Sequence, residues 1–297
     1  MVVSILVGFK YEKEGLRFLP RITIDLYQVY NYVKKFSDQV YVITDIKDNE
    51  KNSGYIFQAS NRGVVSSKVL YFISNIKSCG EYIEYIGIEA LKSSIKTLLI
   101  GQDKVFFYYT GHGTDDNLLL PNNVTLKYND LRDLFLDNTK INSQLFFVLD
   151  CCRGPNFQLP YFYKNKYHLT DKKDRKFFNQ KIIMLNSSKK GERSLSTPYH
   201  ASLFTTSLIR TLNRGEIDLK SITDFIREEC IAIKNNLDEV VGDGDNGNLK
   251  SIKPSTISLY LSYPNIRLIW YWMREKNDLG YDIEYHKTNK CLMITKN

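Results

Sequence analysis

Two short apolar runs each end in a polar turn that carries a reactive side chain. Lys104-Val-Phe-Phe-Tyr-Tyr109 runs into Thr110-Gly111-His112-Gly113, and Leu145-Phe-Phe-Val-Leu149 runs into Asp150-Cys151-Cys152-Arg153-Gly154-Pro155. A cysteine attacks carbonyls as its thiolate, and an imidazole beside it takes the thiol proton and later returns it to a leaving amine. Either residue alone has a plainer use, histidine in a turn and cysteine as a small buried hydrophobe. The pairing points to chemistry, because each residue stands at the end of an apolar strand and glycines flank the histidine. Gly111 and Gly113 allow a sharp turn around His112, and the Gly113 N–H is placed to donate to a developing oxyanion. At this level Cys151 and Cys152 are equal candidates for the nucleophile.

For the two turns to meet, their strands must lie side by side and point the same way. In open α/β sheets, sites form outside the carboxyl ends of the strands. The chain begins with an apolar run, Val2 to Gly8, followed by helical spacing of Leu26, Val29, Tyr30 and Val33 through Ile24 to Phe36, then a β-branched strand, Gln39 to Thr44. This βαβ order with short connections predicts a parallel sheet. Further helices are expected at Ser66–Ile76, Tyr85–Leu99, Tyr128–Leu136, Ser202–Leu212 and Leu219–Lys234. Further strands are expected at Ile182–Leu185 and Ile257–Leu261, with a brief one at Tyr55–Gln58 and a small hairpin arm from Leu118–Pro121 and Thr125–Leu126. Gln158 to Gln180 lacks a period and reads as an exposed loop. The expected class is α/β, a central, mostly parallel sheet with helices on both faces. The tail from Ile266 holds Trp270 and Trp272 and is expected to pack on or near the core.

The 297 residues suffice for one large core plus a small appendage. At 43% hydrophobic and 25% charged residues the composition is that of a soluble globular protein. The net charge of +8 comes from Lys and Arg interleaved with Asp and Glu, without a basic run or a nucleic-acid motif, so it reads as solvated surface. Nucleic acid and membrane are therefore not expected partners. Five cysteines without regular spacing do not resemble a disulfide framework, and the start has no basic leader or small-residue cleavage site. A reducing, cytoplasmic setting is expected, and so is a monomer or weak dimer.

Tyr109-Thr110-Gly111-His112-Gly113 resembles the Tyr-Ser-Gly-His-Gly motif of metacaspases, and Asp150-Cys151-Cys152 resembles their Asp-Ser-Cys. Cys152-Arg153-Gly154 is similar to the Cys-Arg-Gly of the caspase signature, whose histidine lies roughly 50 residues upstream. Leu203-Phe204-Thr205 resembles the helix start of the family's small part. The resemblance, to caspase-like cysteine peptidases of clan CD and most of all to metacaspases, spans Val2 to about Leu261. It implies a caspase-like sandwich over 1–265, with a large part over about 1–157, a linker over about 158–180 and a small part over about 181–265. Residues 266–297 would be a C-terminal extension. It selects Cys152 as the nucleophile by position and His112 as its base. It implies an acidic pocket for the residue before the cut, built from Asp25, Thr110 and Asp150. Two carboxylates at its base suit Arg or Lys, whereas caspases carry basic residues there and take Asp. The chain departs from metacaspases in Thr110 for Ser and in Arg153-Gly154-Pro155 for His-Ser-Gly.

By the same resemblance, the activity is endopeptidase cleavage of proteins or peptides after a basic residue, through a thioester acyl-enzyme. The basic linker residues Lys164, Lys166, Lys172, Lys173, Arg175 and Lys176 lie where relatives are commonly cut, so self-cleavage there is an expectation. Calcium is a family possibility. Asp243-Gly-Asp245-Asn246-Gly-Asn248 has alternating oxygen ligands but no terminal Glu, so no metal ligand is placed and no cofactor is required. Two other readings stand beside the peptidase: a catalytically silent caspase-like module that binds or regulates a partner, and a legumain- or transamidase-like relative.

Overall fold

The structure is a computed structural model. It describes residues 1–11, 16, 18–47, 67–153, 161–163, 166–168, 180–189, 191–192, 194, 201–213, 222–240, 257–261, 281–286 and 291–296. The chain opens with β1 (Val2–Gly8), α1 (Ile22–Val33) and β2 (Gln39–Thr44). A 3-10 turn at Ser67–Tyr71 leads into α2 (Phe72–Ser78), β3 (Tyr82–Glu84), α3 (Ile88–Leu99) and β4 (Lys104–Thr110). Then come the hairpin strands β5 (Asn117–Leu120) and β6 (Val124–Lys127), α4 (Tyr128–Asn138) and β7 (Gln144–Asp150). The remainder is β8 (Tyr161–Tyr163), β9 (Lys166–His168), β10 (Lys181–Asn186), α5 (Leu203–Asn213), α6 (Ile222–Val240), β11 (Ser258–Leu261), β12 (Tyr281–His286) and β13 (Cys291–Lys296).

The central sheet runs β3-β2-β1-β4-β7-β10-β11-β8-β9. Its first six strands are all parallel, and β11, β8 and β9 add antiparallel pairs at one edge. Strands buried on both faces need near-continuous apolar sequence. In β4 and β7 every residue after the first is buried. Their side chains alternate between two cores. One core lies under α1, α2, α5 and α6, and includes Leu6, Phe106, Tyr108, Phe146, Val148 and Leu208. The other lies under α3, α4 and the β5–β6 hairpin, and includes Ile5, Phe107, Tyr109, Phe147, Leu149 and Phe135. The architecture is the expected α/β sheet with helices on both faces.

Several boundaries differ from the sequence expectation. The helix expected from Tyr85 starts at Ile88, because Tyr82–Glu84 pairs with β2 and Gly87, at φ 147°, separates strand from helix. The helix expected from Ser66 opens as a 3-10 turn. Gln158–Gln180 is not all loop: β8 pairs with the distant β11, and β9 folds back on β8. Three-residue strands whose partner lies a hundred positions away leave no local period to read. The strand expected at Tyr55–Gln58, Trp270, Trp272 and the Asp243–Asn248 loop lie outside the described residues. From the tail, β12 and β13 pair with each other as a separate antiparallel ladder.

Candidate active site

Thr110 and Asp150, the last residues of β4 and β7, are partners across the parallel ladder. His112 and Cys152 each follow that rung by two residues, so the two turns leave adjacent strands at the same level. The Gly111 N–H donates to the Asp150 carbonyl at 3.2 Å. A Cβ on Gly113 would lie 2.8 Å from the Cys152 carbonyl oxygen and 2.9 Å from Cys151 Sγ, so the histidine turn packs directly on the cysteine turn. The cysteine turn is fixed from the other side. The Ser187 and Ser188 hydroxyls donate to the Cys151 carbonyl at 3.0 and 2.9 Å, and the Arg153 N–H donates to the Glu192 carbonyl at 2.6 Å.

The structure separates the two cysteines. Strand alternation turns Cys151 into the core under α3 and α4, where it is buried with its sulfur 3.6 Å from the Tyr128 hydroxyl. Burial pushes its thiol up to about 12. Cys152, one residue on, has left the strand and is partly exposed, as is His112.

Three hydroxyls and a pair of crowded glycines hold the histidine turn. The His112 N–H donates to the Tyr11 hydroxyl at 2.8 Å, and that hydroxyl donates to the Leu119 carbonyl at 2.6 Å. The Tyr109 hydroxyl, 3.0 Å from that of Tyr11, donates to the His112 carbonyl at 2.8 Å. The Tyr11 ring lies against the imidazole with centroids 4.6 Å apart. Burial pushes both phenols above their ordinary range, so they act as neutral hydrogen-bonding groups. The Tyr128 hydroxyl donates to the Thr114 carbonyl at 3.1 Å. Tyr11 is held at φ 62°, an uncommon conformation for a bulky residue, with its N–H and that of Lys10 both donating to the Asp45 carboxylate just after β2.

The glycines serve this cradle by being small. Neither Gly111 nor Gly113 is at positive φ. A Cβ on Gly111 would lie 2.5 Å from the Tyr11 hydroxyl oxygen and 2.6 Å from that of Tyr109. The chain bends at Gly111 as expected, and what this position requires of glycine is close approach rather than a positive φ. The ladder bonds beside Gly113 run from Leu119 to His112 and from Thr114 to Asn117, so they leave the Gly113 N–H unused.

On the opposite face of the same rung, the structure brings Asp25, Thr110 and Asp150 together, all fully buried. Thr110 donates to Asp25 at 2.8 Å, and the Ser202 N–H donates to the other Asp25 oxygen at 2.7 Å. Ser202 precedes α5 and caps it, its hydroxyl accepting the Thr205 N–H at 2.9 Å. Hydroxyls of Ser194 (2.9 Å), Thr205 (2.6 Å) and Ser202 donate to Asp150. Two carboxylates thus converge on the start of α5, where a helix end favours negative charge.

A fourth charged residue completes the cluster. Arg21, at the start of α1, pairs through Nη1 with Asp25 and reaches Thr110 Oγ1 at 3.4 Å. Burial works to lower the Arg21 pKa, but the charges of Asp25 and Asp150 outweigh it and hold the guanidinium above its ordinary range. Burial pushes the Asp25 carboxyl up to about 6 against the pull of Arg21, with Asp150 reinforcing the rise. The pairing therefore favours the charge of Arg21 more than that of Asp25, which also bears a neighbouring carboxylate. Sequence reasoning passed over Arg21, Tyr11 and Ser194, and read Ser202 and Thr205 as a helix start only, not as partners of the acidic residues. The four-residue spacing of Arg21 and Asp25, and the Ser202–Thr205 cap spacing, were the signals available.

Of the linker residues, Lys166 begins β9, paired with Tyr163. Lys164, Lys172, Lys173, Arg175 and Lys176 lie outside the described residues. Among the described residues no cluster of His, Cys, Asp and Glu suits a metal ion, and no helix is long and apolar enough to cross a membrane.

Known proteins share both the fold and the family of this chain. A paracaspase of Dictyostelium discoideum is 30% identical over 137 residues, which cover 44% of this chain and 31% of the relative. The chain thus aligns with about a third of that curated protein's length. The crystal structure of caspase-1 from Spodoptera frugiperda superposes with a TM-score of 0.52, covering 88% of each chain at 13% identity, and shows the caspase-like fold. The family model described as caspase domain matches residues 84–236, about half of the chain, from the end of β3 into α6 and across both turns. The chain belongs to the caspase domain family, the caspase-like cysteine peptidases of clan CD.

Proposed function

We propose that this protein is a cysteine endopeptidase of the caspase type, acting through Cys152 and His112 and cleaving after Arg or Lys. The observation that carries this reading is the Thr110–Asp150 rung, which starts both turns at one level on neighbouring parallel strands. His112 takes the Cys152 proton as the sulfur bonds to the scissile carbonyl carbon, and the Gly113 N–H donates to the oxygen as it gains charge. The carbon–nitrogen bond then breaks, the amine leaves with the proton from His112, and a thioester remains. Water, deprotonated by His112, adds to the thioester; the carbon–sulfur bond then breaks, the Cys152 sulfur takes the proton back from His112, and the new carboxylic acid departs. Asp25 and Asp150 supply the negative charge for a basic side chain before the cut. Lys166 and the other basic linker residues are the proposed self-cleavage region.

A peptide panel with Arg, Lys, Asp or Asn before the scissile bond, run on wild type and Cys152→Ala with and without calcium, tests the reading. Turnover of Arg or Lys peptides by wild type alone is expected, with Cys152 labelled by an Arg-based electrophilic peptide. Turnover after Asn would favour the legumain-like alternative. No turnover of any peptide would favour the silent module. A chain that stays equally intact in wild type and Cys152→Ala under activating conditions would exclude self-cleavage.

A further inference from the structure

The acidic cluster holds two carboxylates and one guanidinium, so it retains one formal negative charge in excess, and both carboxylates are fully buried. We propose that Arg21 is a resident occupant of this pocket, seated where the guanidinium of a substrate would go, and that a basic substrate residue enters by displacing it. The inference rests on reading Asp25 and Asp150 as the seat of that residue.

Three features favour a displaceable seat over a fixed structural pair. First, the fit of Arg21 is incomplete. Among the described residues its Nε–H is buried without a hydrogen-bond partner, and its contacts with Asp25 and Thr110 both run through Nη1. A buried donor left unpaired weakens a contact that charge favours. Second, Arg21 stands at the N-cap position of α1 without a side-chain capping bond and is 7% exposed, against zero for Asp25, Thr110 and Asp150. Third, among the described residues Asp150 is met by three hydroxyls and no cation. Hydroxyls rotate and accept as readily as they donate, so Ser194 can turn toward an incoming cation and Thr205 can turn to the Tyr108 hydroxyl 2.6 Å away, while Ser202 keeps accepting the Thr205 N–H. Asp150 ends β7 two residues before Cys152, which places the seat next to the turn of the proposed nucleophile.

The test is chemical rescue in a Cys152→Ala background, where binding is read without turnover. Arg21→Ala is titrated with agmatine, an alkylguanidinium, and unfolding is followed by temperature. A saturable rise of a few degrees is expected, with little rise in the chain that keeps Arg21 and none with acetate. An Arg21→Ala chain that folds only with agmatine gives the same answer. A folded chain without a saturable rise, or an equal rise in both chains, overturns the proposal. If Arg21→Ala does not fold with or without agmatine, Arg21→Lys decides: its point charge on a differently shaped head should leave a partial, agmatine-responsive seat, and no response overturns the idea. With Cys152 intact, Arg21→Ala should be labelled by an Arg-based electrophile about tenfold faster, a change of the size expected from removing one competing contact. Agmatine binding without turnover of any peptide would sink the peptidase reading and leave the occupancy standing. Turnover after Arg with no effect of Arg21→Ala would do the reverse, and a preference for Asp lost in Arg21→Ala would make Arg21 itself the recognising group.

Discussion

The ends of β4 and β7 carry two hydrogen-bonded networks on opposite faces of one sheet, and the two are built from different materials. Under α3 and α4, the cradle of His112 is neutral: the hydroxyls of Tyr11 and Tyr109, main-chain groups, and the thiol of Cys151. Under α1 and α5, the cluster around Asp25 and Asp150 is ionic and closed by Arg21. A neutral network holds positions by geometry, because its hydroxyls are tied to main-chain groups of the turn itself and of Leu119. An ionic cluster holds by charge, and one cation can substitute for another at modest loss. The first suits a catalytic turn and the second a specificity pocket.

The largest expected effect falls on the partly exposed end of the neutral side. Cys152→Ala should lower turnover of a basic peptide by at least about a thousandfold, as loss of a covalent nucleophile does. Cys151→Ala should keep the activity within a few-fold, because its buried thiol is pushed up to about 12 and stays protonated. Mass spectrometry after alkylation at neutral pH should find label on Cys152, besides the exposed Cys79, and none on Cys151. Label on Cys151 instead would invert the comparison of the two cysteines.

Next comes the ionic side. Arg21→Ala leaves Asp25 buried beside Asp150 without its cation, a change that costs about 3–5 kcal/mol when one partner of a buried pair is removed. Urea unfolding should show that loss and show most of it recovered in the Arg21→Ala/Asp25→Asn double variant. Additive losses would mean that the two do not act as a pair.

Asp25 supplies a pH signature of the same cluster. Its folded carboxyl is pushed up to about 6, above the ordinary 3.8, so between those values the folded chain binds a proton that the unfolded chain does not. Its contribution to stability therefore grows as pH falls through 6, levels off below about 4, and is lost as pH rises. The stability of wild type minus that of Asp25→Asn should rise by up to about 3 kcal/mol from pH 7 to pH 4. A difference that falls over this window would mean that Arg21 outweighs burial.

The two sides also differed in how well the sequence could be read. His112, Cys152, Asp25 and Asp150 were legible because they sit at the ends of clean apolar runs or match a motif. Arg21 was not, since its role depends on where α1 crosses the sheet end, and an Arg four residues before an Asp reads as an exposed helix pair. Tyr11 was hidden for a different reason. Its φ of 62° and the two N–H bonds to Asp45 bring it back under the histidine turn, and nothing in Phe9-Lys10-Tyr11 announces that conformation. The parallel order of β1, β2, β4, β7 and β10 followed from local pattern, whereas β8 and β9 owe their place to β11. Local signals were enough to set the two turns at neighbouring strand ends but not to name the groups that hold them.

The smallest effect tests the neutral side at its most delicate point. Tyr11→Phe keeps the ring against the imidazole but removes the acceptor of the His112 N–H and the donor to the Leu119 carbonyl. A hydrogen bond of this kind contributes about 0.5–1.5 kcal/mol net, so kcat should fall about twofold to tenfold. KM should stay near its original value, because Tyr11 acts through His112 and does not meet the acidic pocket. A purely structural loss would lower the amount of folded enzyme without moving the pH profile. A histidine with a looser seat should shift the acid limb of kcat against pH, as Tyr11→Leu should more strongly by also removing the ring. If Tyr11→Phe instead raised KM alone, the two networks would be coupled through the rung, and the division between a geometric side and an ionic side would fail.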